Sequence, residues 1–420
     1  MPQRITGRPA SAPDHSSATE PRADTTTLRD PRAWKRLMLD AASHGPTLVD
    51  ESTGAVHVLR YHDVERLLHE PRLHGVGLSL FDAMGIAYGP LRDWYGTIMF
   101  TNDGARHDRL RRLVSKAFTP RAAARLRPLA ASTVAGQLSA LRHDGGGDLV
   151  PALSHVPMRV MCALLGVPDA AVPHFITWVD ALSPIFGFME PTQIEAAQRA
   201  ITLLLAYVRD LVAERSDTDA DDLMSALLRA EDEGDRLTRD ETVTMVTNLL
   251  VGGHDTTGSQ IGCTLLALLT RPDVLDELRL DPALLPLVVS ETLRFEPGIA
   301  LTTRTVVEPI EICGIERPAG TMVMCTLLTA NRDPDVWHDA DAFVPRRFAE
   351  PDAPRLFSFG AGPHYCLGAA LARMTLEESV RGVAELAPTL TADPETIEWC
   401  QVLGSSPSVL PVSLRAPGAH

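Results

Sequence analysis

The chain has 420 residues, 45% of them hydrophobic and 22% charged, which is enough apolar material for a large buried core. A formal net charge of −15 argues against nucleic acid as a general partner, and no apolar run approaches the roughly 18 residues a membrane helix needs. Six scattered cysteines (Cys162, Cys263, Cys313, Cys325, Cys366 and Cys400) form no CxxC pair, which argues against a disulfide framework or a zinc knuckle and fits a reducing cytoplasm.

Residues 1–28 are polar and rich in Pro, Ser, Thr and Ala, with no signal-peptide pattern, and read as a disordered lead-in to one folded unit spanning 29–420. "AVHVLRY", Ala55 to Tyr61, alternates like a strand. From Arg106 to about Ala213 the pattern is mainly helical, interrupted at "RHDGGGD". Its first part, "HDRLRRLVSKAFTPR", is a basic island in an acidic chain. His107 and Arg111 are four apart and project from one side of a helix, where they could clamp an anion bearing carboxylates. "DALSPIFGFMEP", Asp180 to Pro191, is an apolar break marked by Pro and Gly.

A long helix starts at a capping-box pattern, Thr238 with Glu241, and runs to Thr270, where Arg271-Pro272 stops it. Such a helix is roughly 50 Å long and crosses a whole globule. At its centre, "LLVGGHDTTGSQ" places Gly252 and Gly253 where each costs about 1 kcal/mol against alanine. Asp255, Thr256 and Thr257 follow. The glycines would open a groove for a flat ligand, with an acid and a hydroxyl beside it to pass protons.

"SETLRFEP" puts Glu291 and Arg294 at i,i+3 on the next helix. Alone, such a pair is most often a surface ion pair. Its apolar flanks make it a buried pair that needs a third partner, and Arg347 in "FVPRRF" offers one. After Pro297 the chain turns strand-like, as does the stretch from Cys400 to Leu414. Between them, "FSFGAGPHYCLGAALARM" holds Cys366 among Gly360, Gly362 and Gly368, just ahead of strong helix formers. A helix N-terminus favours a thiolate there.

With these four constellations in this order, the chain resembles the cytochromes P450, specifically the soluble bacterial kind. "FSFGAGPHYCLG" fits the family's cysteine-loop pattern, "GGHDTT" its oxygen-activating helix, "ETLR" its Glu-x-x-Arg motif, and "NRDPDVWHDADAFVPRRF" its approach to the cysteine. The resemblance implies a mainly α fold with small β-sheets, in one large helix-rich domain around a long central helix. It implies haem b held by Cys366 as the iron's thiolate ligand, with Phe359, Gly360 and Gly368 around the sulfur and Gly252 on the facing helix. His107, Arg111, Arg304 and His364 would hold the two propionates. Asp255 and Thr256 would deliver protons where dioxygen binds, and Glu291, Arg294 and Arg347 would form a structural network behind the loop.

Substrate contacts are expected from Leu80, Phe81, Phe186, Phe188, Val251, Ile299, Ala300, Leu301 and Leu403. The implied reaction is insertion of one oxygen atom from dioxygen into a small hydrophobic organic substrate, by hydroxylation or epoxidation, in bacterial secondary or lipid metabolism. The chain shows no GxGxxG unit or cysteine cluster of its own, so electrons would come from NAD(P)H through a ferredoxin and its reductase. Arg109, Arg112, Lys116, Arg346 and Arg355 would form the docking face on a cytoplasmic monomer. The alternatives are a family member that couples or desaturates its substrate, and a non-enzymatic haem sensor.

Overall fold

The computed structural model describes residues 20–25, 30–115, 118–187, 189–215, 222–232, 234–386, 390–392, 394–400 and 405–414. The central helix, Arg239–Leu269, begins at Thr238, whose side chain accepts from the Glu241 amide at 3.1 Å while Glu241 Oε2 accepts from the Thr238 amide at 2.8 Å. It spans 31 residues, about 46 Å at 1.5 Å per residue, and ends ahead of Pro272 as the stop signal requires. Most of its length is buried, which is why its sequence is apolar on nearly every side rather than amphipathic.

Helices pack around this axis: Val156–Leu165, Pro191–Arg215 and Ala369–Leu386 all lie against it. A six-stranded sheet flanks them, in the order Arg22–Ala23, Thr47–Asp50, Val56–Val58, Met322–Cys325, Thr302–Val306, Leu73–His74. The strand read at "AVHVLRY" is three residues long, because Tyr61 already begins the helix Tyr61–Leu68. Arg22–Ala23 lie within the stretch read as a lead-in, yet they pair parallel with Val49–Asp50. Asp50 fastens that edge by accepting from the Thr25 amide at 2.7 Å and from Ser52 and Thr53. Residues 1–19 and 26–29 lie outside the described residues.

The C-terminal strands appear as read: Glu398–Cys400 pairs with Ser406–Val409, and Pro411–Leu414 joins Gly146–Asp148 and Leu390–Ala392. The fold is mainly α with small sheets. Among the described residues no helix is long and apolar enough to cross a membrane.

Candidate functional site

Cys366 sits three residues ahead of the helix Ala369–Leu386, and its amide donates to the Phe359 carbonyl at 2.9 Å. Gly360 and Gly362 take φ of +69° and +66°, and a Cβ on Gly362 would stand 2.3 Å from the Leu68 carbonyl oxygen. Gly368 differs. Its backbone is ordinary, and a Cβ there would meet only Cys366 Sγ, at 3.9 Å. The protein therefore does not itself require glycine at 368; what remains is room for something to lie against the sulfur.

The cysteine opens onto a cavity of about 330 Å³ with mostly apolar walls. Although Cys366 is exposed to that cavity, the sulfur lies deep in the molecule. Burial pushes the thiol's pKa up, against the Gly368 amide and the Arg111 charge, which pull it down. The helix terminus alone thus does not yield a thiolate, contrary to the sequence expectation; a cation at the sulfur would have to displace the proton.

The loop is tied down from behind. Glu291 and Arg294 are fully buried, with Arg294 Nη2 2.8 Å from Glu291 Oε1 and Nε 2.8 Å from Oε2. Arg347 Nε reaches Glu291 at 3.3 Å, so the pair has its third member. The rest of the Arg294 guanidinium donates to the carbonyls of Asn331, Ala340 and Ala342. Asn331 in turn accepts from the Phe357 amide at 2.9 Å and donates to Ser358 Oγ at 2.8 Å. The charge pair is thereby linked to the strand of chain that leads to Cys366. Sequence reading missed Asn331 because nothing in "LLTANRD" marks its side chain as a brace.

Four basic side chains line the cavity, His107, Arg111, Arg304 and His364, and no acidic residue does so among the described residues. His107 is buried, with Nδ1 3.0 Å from Asp108 and Nε2 without any partner. Arg111 Nη2 donates to the Tyr365 carbonyl at 2.5 Å. Arg304 is buried on the strand Thr302–Val306 and, among the described residues, donates only to Thr302 Oγ1 and the Thr303 carbonyl. Burial pulls the basicity of His107, Arg111 and Arg304 down, for His107 against the Asp108 hydrogen bond, and the two arginines have no carboxylate beside them among the described residues. His364 Nε2 lies 2.8 Å from Asp103. Burial raises the Asp103 carboxyl, but the hydrogen bonds from His364 and the Gly75 amide outweigh it and the net shift is downward.

On the facing wall, the two helix glycines do different work. A Cβ on Gly253 would press to 2.7 Å from Met161 Cε, whereas one on Gly252 would meet nothing nearer than Asn248 Nδ2 at 3.9 Å. Gly252 therefore keeps the cavity side of the helix bare. Thr256 lines the cavity one turn on and donates to the Gly252 carbonyl at 2.8 Å. Asp255 is not on the wall. It accepts from Ser183 Oγ at 2.6 Å, and burial raises its carboxyl pKa, against the favourable charge of His254 and the Ser183 hydrogen bond. Ser183 comes from the "SPIFGFM" break, where only substrate contacts were expected.

His254 points elsewhere. Its Nε2 lies 2.9 Å from Asp180 Oδ1, its ring stacks on His155 at 5.7 Å, and Nδ1 is buried without a partner. The ring nitrogens of His155 and His254 and a carboxylate oxygen of Asp180 lie within 4.8 Å of one another. His254 Nε2 and Asp180 Oδ1 form a hydrogen bond within this trio.

Of the expected substrate residues, Phe186, Val251, Ile299 and Leu301 line the cavity. Leu80, Phe81 and Ala300 do not. Phe81 stacks on Tyr95 at 4.5 Å inside the core, and Ala300 packs in a separate cluster with Trp34, Met38 and Leu328. Phe188 and Leu403 lie outside the described residues. Ile185, from the same apolar break as Phe186, also lines the wall, as do Trp94, Ile98, Phe100, Asn248 and Leu249, which were not anticipated. The docking face also changes: Arg109 is held by Asp235 at 2.7 Å and Glu241 at 2.6 Å, and Arg346 by Glu277 at 2.5 Å, so both charges are neutralised locally. Arg355 sits over the Tyr365 ring, and Lys116 lies outside the described residues.

The donor set suits haem. A sulfur and a bare glycine face line one cavity, with two arginines that have no carboxylate beside them among the described residues and a buried histidine with an orphaned ring nitrogen. The family model described as "Cytochrome P450" matches residues 81–281 and 283–379. The chain is 38% identical over 308 residues to the cytochrome P450 monooxygenase PikC of Streptomyces venezuelae, covering 72% of each. It is 34% identical over 313 residues to the 6-deoxyerythronolide B hydroxylase of Saccharopolyspora erythraea, covering 74% of this chain and 76% of the relative. Among solved structures, that of CalO2 superposes with a TM-score of 0.83 at 30% identity, covering 93% of this chain and 97% of that one.

Proposed function

Because the chain belongs to the cytochrome P450 family, we propose that it is a haem-thiolate monooxygenase placing one oxygen atom from dioxygen into a hydrophobic organic substrate, in bacterial secondary metabolism. The observation that carries this reading is Cys366 opening onto an apolar cavity that Gly252 and Thr256 also line, beside two guanidinium groups, Arg111 and Arg304, with no carboxylate partner among the described residues. Bound haem supplies the activation of dioxygen and the transfer of one of its oxygen atoms to carbon.

The residues then divide the remaining work. Cys366 would hold the haem iron as a thiolate, with the Gly368 amide and the Arg111 charge favouring its deprotonated form. His107, Arg111, Arg304 and His364 would hold the propionates, which would give the orphaned His107 Nε2 a partner. Asp255, with its pKa raised, keeps a proton to higher pH than an ordinary aspartate and faces away from the cavity toward Ser183. Thr256 is its neighbour on the wall, and about 100° of helix rotation separates the two, so a proton passes from the outer face to the inner one. The apolar lining excludes bulk water from that path. Electrons enter from NAD(P)H through a ferredoxin and its reductase, in the cytoplasm.

The test is spectroscopic and isotopic. The reduced protein with carbon monoxide gives the red-shifted Soret band of a thiolate-ligated haem, and labelled dioxygen leaves one labelled atom in the product. A colourless protein that stays so when hemin is supplied would overturn the reading.

A further inference from the structure

Among the described residues, one group of three metal-ligating side chains brings its donor atoms together: His155, Asp180 and His254. None of the three lines the cavity at Cys366, so the group is separate from the haem and substrate space. We propose that this trio is a site for a borderline divalent cation, zinc by preference, held by two imidazole nitrogens and one carboxylate oxygen, with water completing the shell. The inference goes beyond the monooxygenase reading and does not depend on it.

Three elements remote in sequence converge to build it. His155 sits at the junction of the helices Leu149–Ser154 and Val156–Leu165, and Asp180 ends the helix Val172–Asp180. His254 is on the central helix, which packs against all three. His254 is buried, with Nε2 2.9 Å from Asp180 Oδ1. The other carboxylate oxygen, Oδ2, stands 3.9 Å from His155 Nε2. Asp180 thus turns one oxygen to each imidazole. The second separation is too long for a hydrogen bond, and the His155 ring makes none among the described residues. A hydrogen-bonded pair accounts for Asp180 and His254 and leaves His155 idle; a shared cation uses all three.

The donor set selects the ion. Zinc takes imidazole nitrogen and carboxylate oxygen in a tetrahedral array, which puts neighbouring donors about 3.3 Å apart, up to about 1.5 Å closer than the 4.8 Å that bounds these atoms. The movement is available, because the His155 and Asp180 side chains are 41% and 49% exposed. The His155 ring, stacked on His254 with 19° between the planes, turns about its side-chain bonds to aim Nε2 at the ion. On His254 the ring proton passes to Nδ1, which no other donor occupies, so that Nε2 offers its lone pair. That buried N–H gains no acceptor, a cost that sets the affinity in the micromolar range. Magnesium and calcium require oxygen shells, and copper(I) prefers sulfur, so neither chemistry suits two imidazoles and a carboxylate.

Untagged holoenzyme, cleared of loosely held metal with a chelator, is titrated with zinc chloride at about pH 7.5, where imidazoles are mostly neutral, by isothermal calorimetry. One zinc binds per chain with a Kd below about 100 µM, and millimolar magnesium does not displace it. His155→Ala and Asp180→Asn each weaken binding by about tenfold or more, whereas His62→Ala, at an exposed histidine 3.8 Å from Glu65, does not. Weaker wild-type binding, a smaller loss in either site variant, a matching loss in His62→Ala, or displacement by magnesium overturns the proposal. A footprint on the wild-type holoenzyme decides the matter even if the variants misfold. Diethyl pyrocarbonate modifies His155 in the chelator-treated protein, and zinc protects His155 but not His62; modification of His155 that zinc leaves unchanged overturns the proposal. Absence of the red-shifted carbon monoxide band would instead sink the haem-thiolate reading and leave the zinc titration readable, so the two failures are distinguishable.

Discussion

Cys366 and Thr256 face one cavity from different elements, and each answers to a single substitution. Cys366→Ala removes the only sulfur on the cysteine loop; its carbon monoxide complex is expected to lose the red-shifted band, and a band unchanged from wild type would contradict the ligand assignment. Thr256→Ala should still bind haem and still consume NAD(P)H, with most reducing equivalents appearing as hydrogen peroxide. Product formation that matched NAD(P)H consumption would place proton delivery elsewhere. These residues were legible in the sequence because glycines and a mid-helix acid-hydroxyl pair are anomalies of local propensity. Trp94, Asn248 and Ser183 were not. An unpaired indole, an idle carboxamide and a serine on a distant carboxylate are recognised only by what surrounds them. Leu80, Phe81 and Ala300 were misplaced for a related reason: apolar residues in short elements satisfy a core or a cavity equally well, and only packing distinguishes the two.

The central helix shows how far local signals reach. Its start was readable from Thr238 and Glu241 and its end from Pro272, because caps and breakers act within a turn or two. Thr238→Ala is expected to cost about 1 kcal/mol of unfolding free energy, measured by denaturant titration of the holoenzyme. The next helix, Leu285–Phe295, carries the larger liability. Removing Arg294 leaves the buried Glu291 with Arg347 as its one remaining cation among the described residues and frees three carbonyls, so Arg294→Ala should destabilise the fold by about 3 kcal/mol, with haem loss on mild heating. A variant with wild-type Tm would mean the pair braces nothing. The strand Arg22–Ala23 escaped notice because two residues carry no period, and its partner lies 27 residues away in sequence.

Across the whole molecule, charge is compensated at a distance. The basic island reads as strongly positive along the chain, but Asp235 and Glu241 fold back onto Arg109 from more than a hundred residues away. No single-sequence count anticipates that pairing. The global pH response is fixed in a similar way by buried groups. His57 is buried with neither ring nitrogen partnered, and burial pulls its pKa down to about 4, against the Asp50 charge. Asp50 is shifted far below the usual carboxylate range; burial opposes this, but the bonds from Thr25, Ser52 and Thr53 prevail. Both shifts mean the unfolded chain binds more protons than the folded one in acid. Stability is therefore full above about pH 6.5 and declines as pH falls toward 4 and below. Urea titrations at pH 7.5 and 4.5 should differ by on the order of 3 kcal/mol through His57 alone, and His57→Leu should flatten that slope. An unchanged slope would assign the acid response to other groups.

Arg294 meets the stretch between 331 and 342 through peptide oxygens rather than side chains. Every amino acid possesses that oxygen. Exposed position 342 can thus drift between lineages, or be rewritten by an engineer, while the anchoring of the cysteine loop stays intact, provided the main chain keeps its path; position 340 is confined by the core packing of Ala340. Fidelity at this point is stored in the route of the backbone, and an alignment of letters would undervalue it.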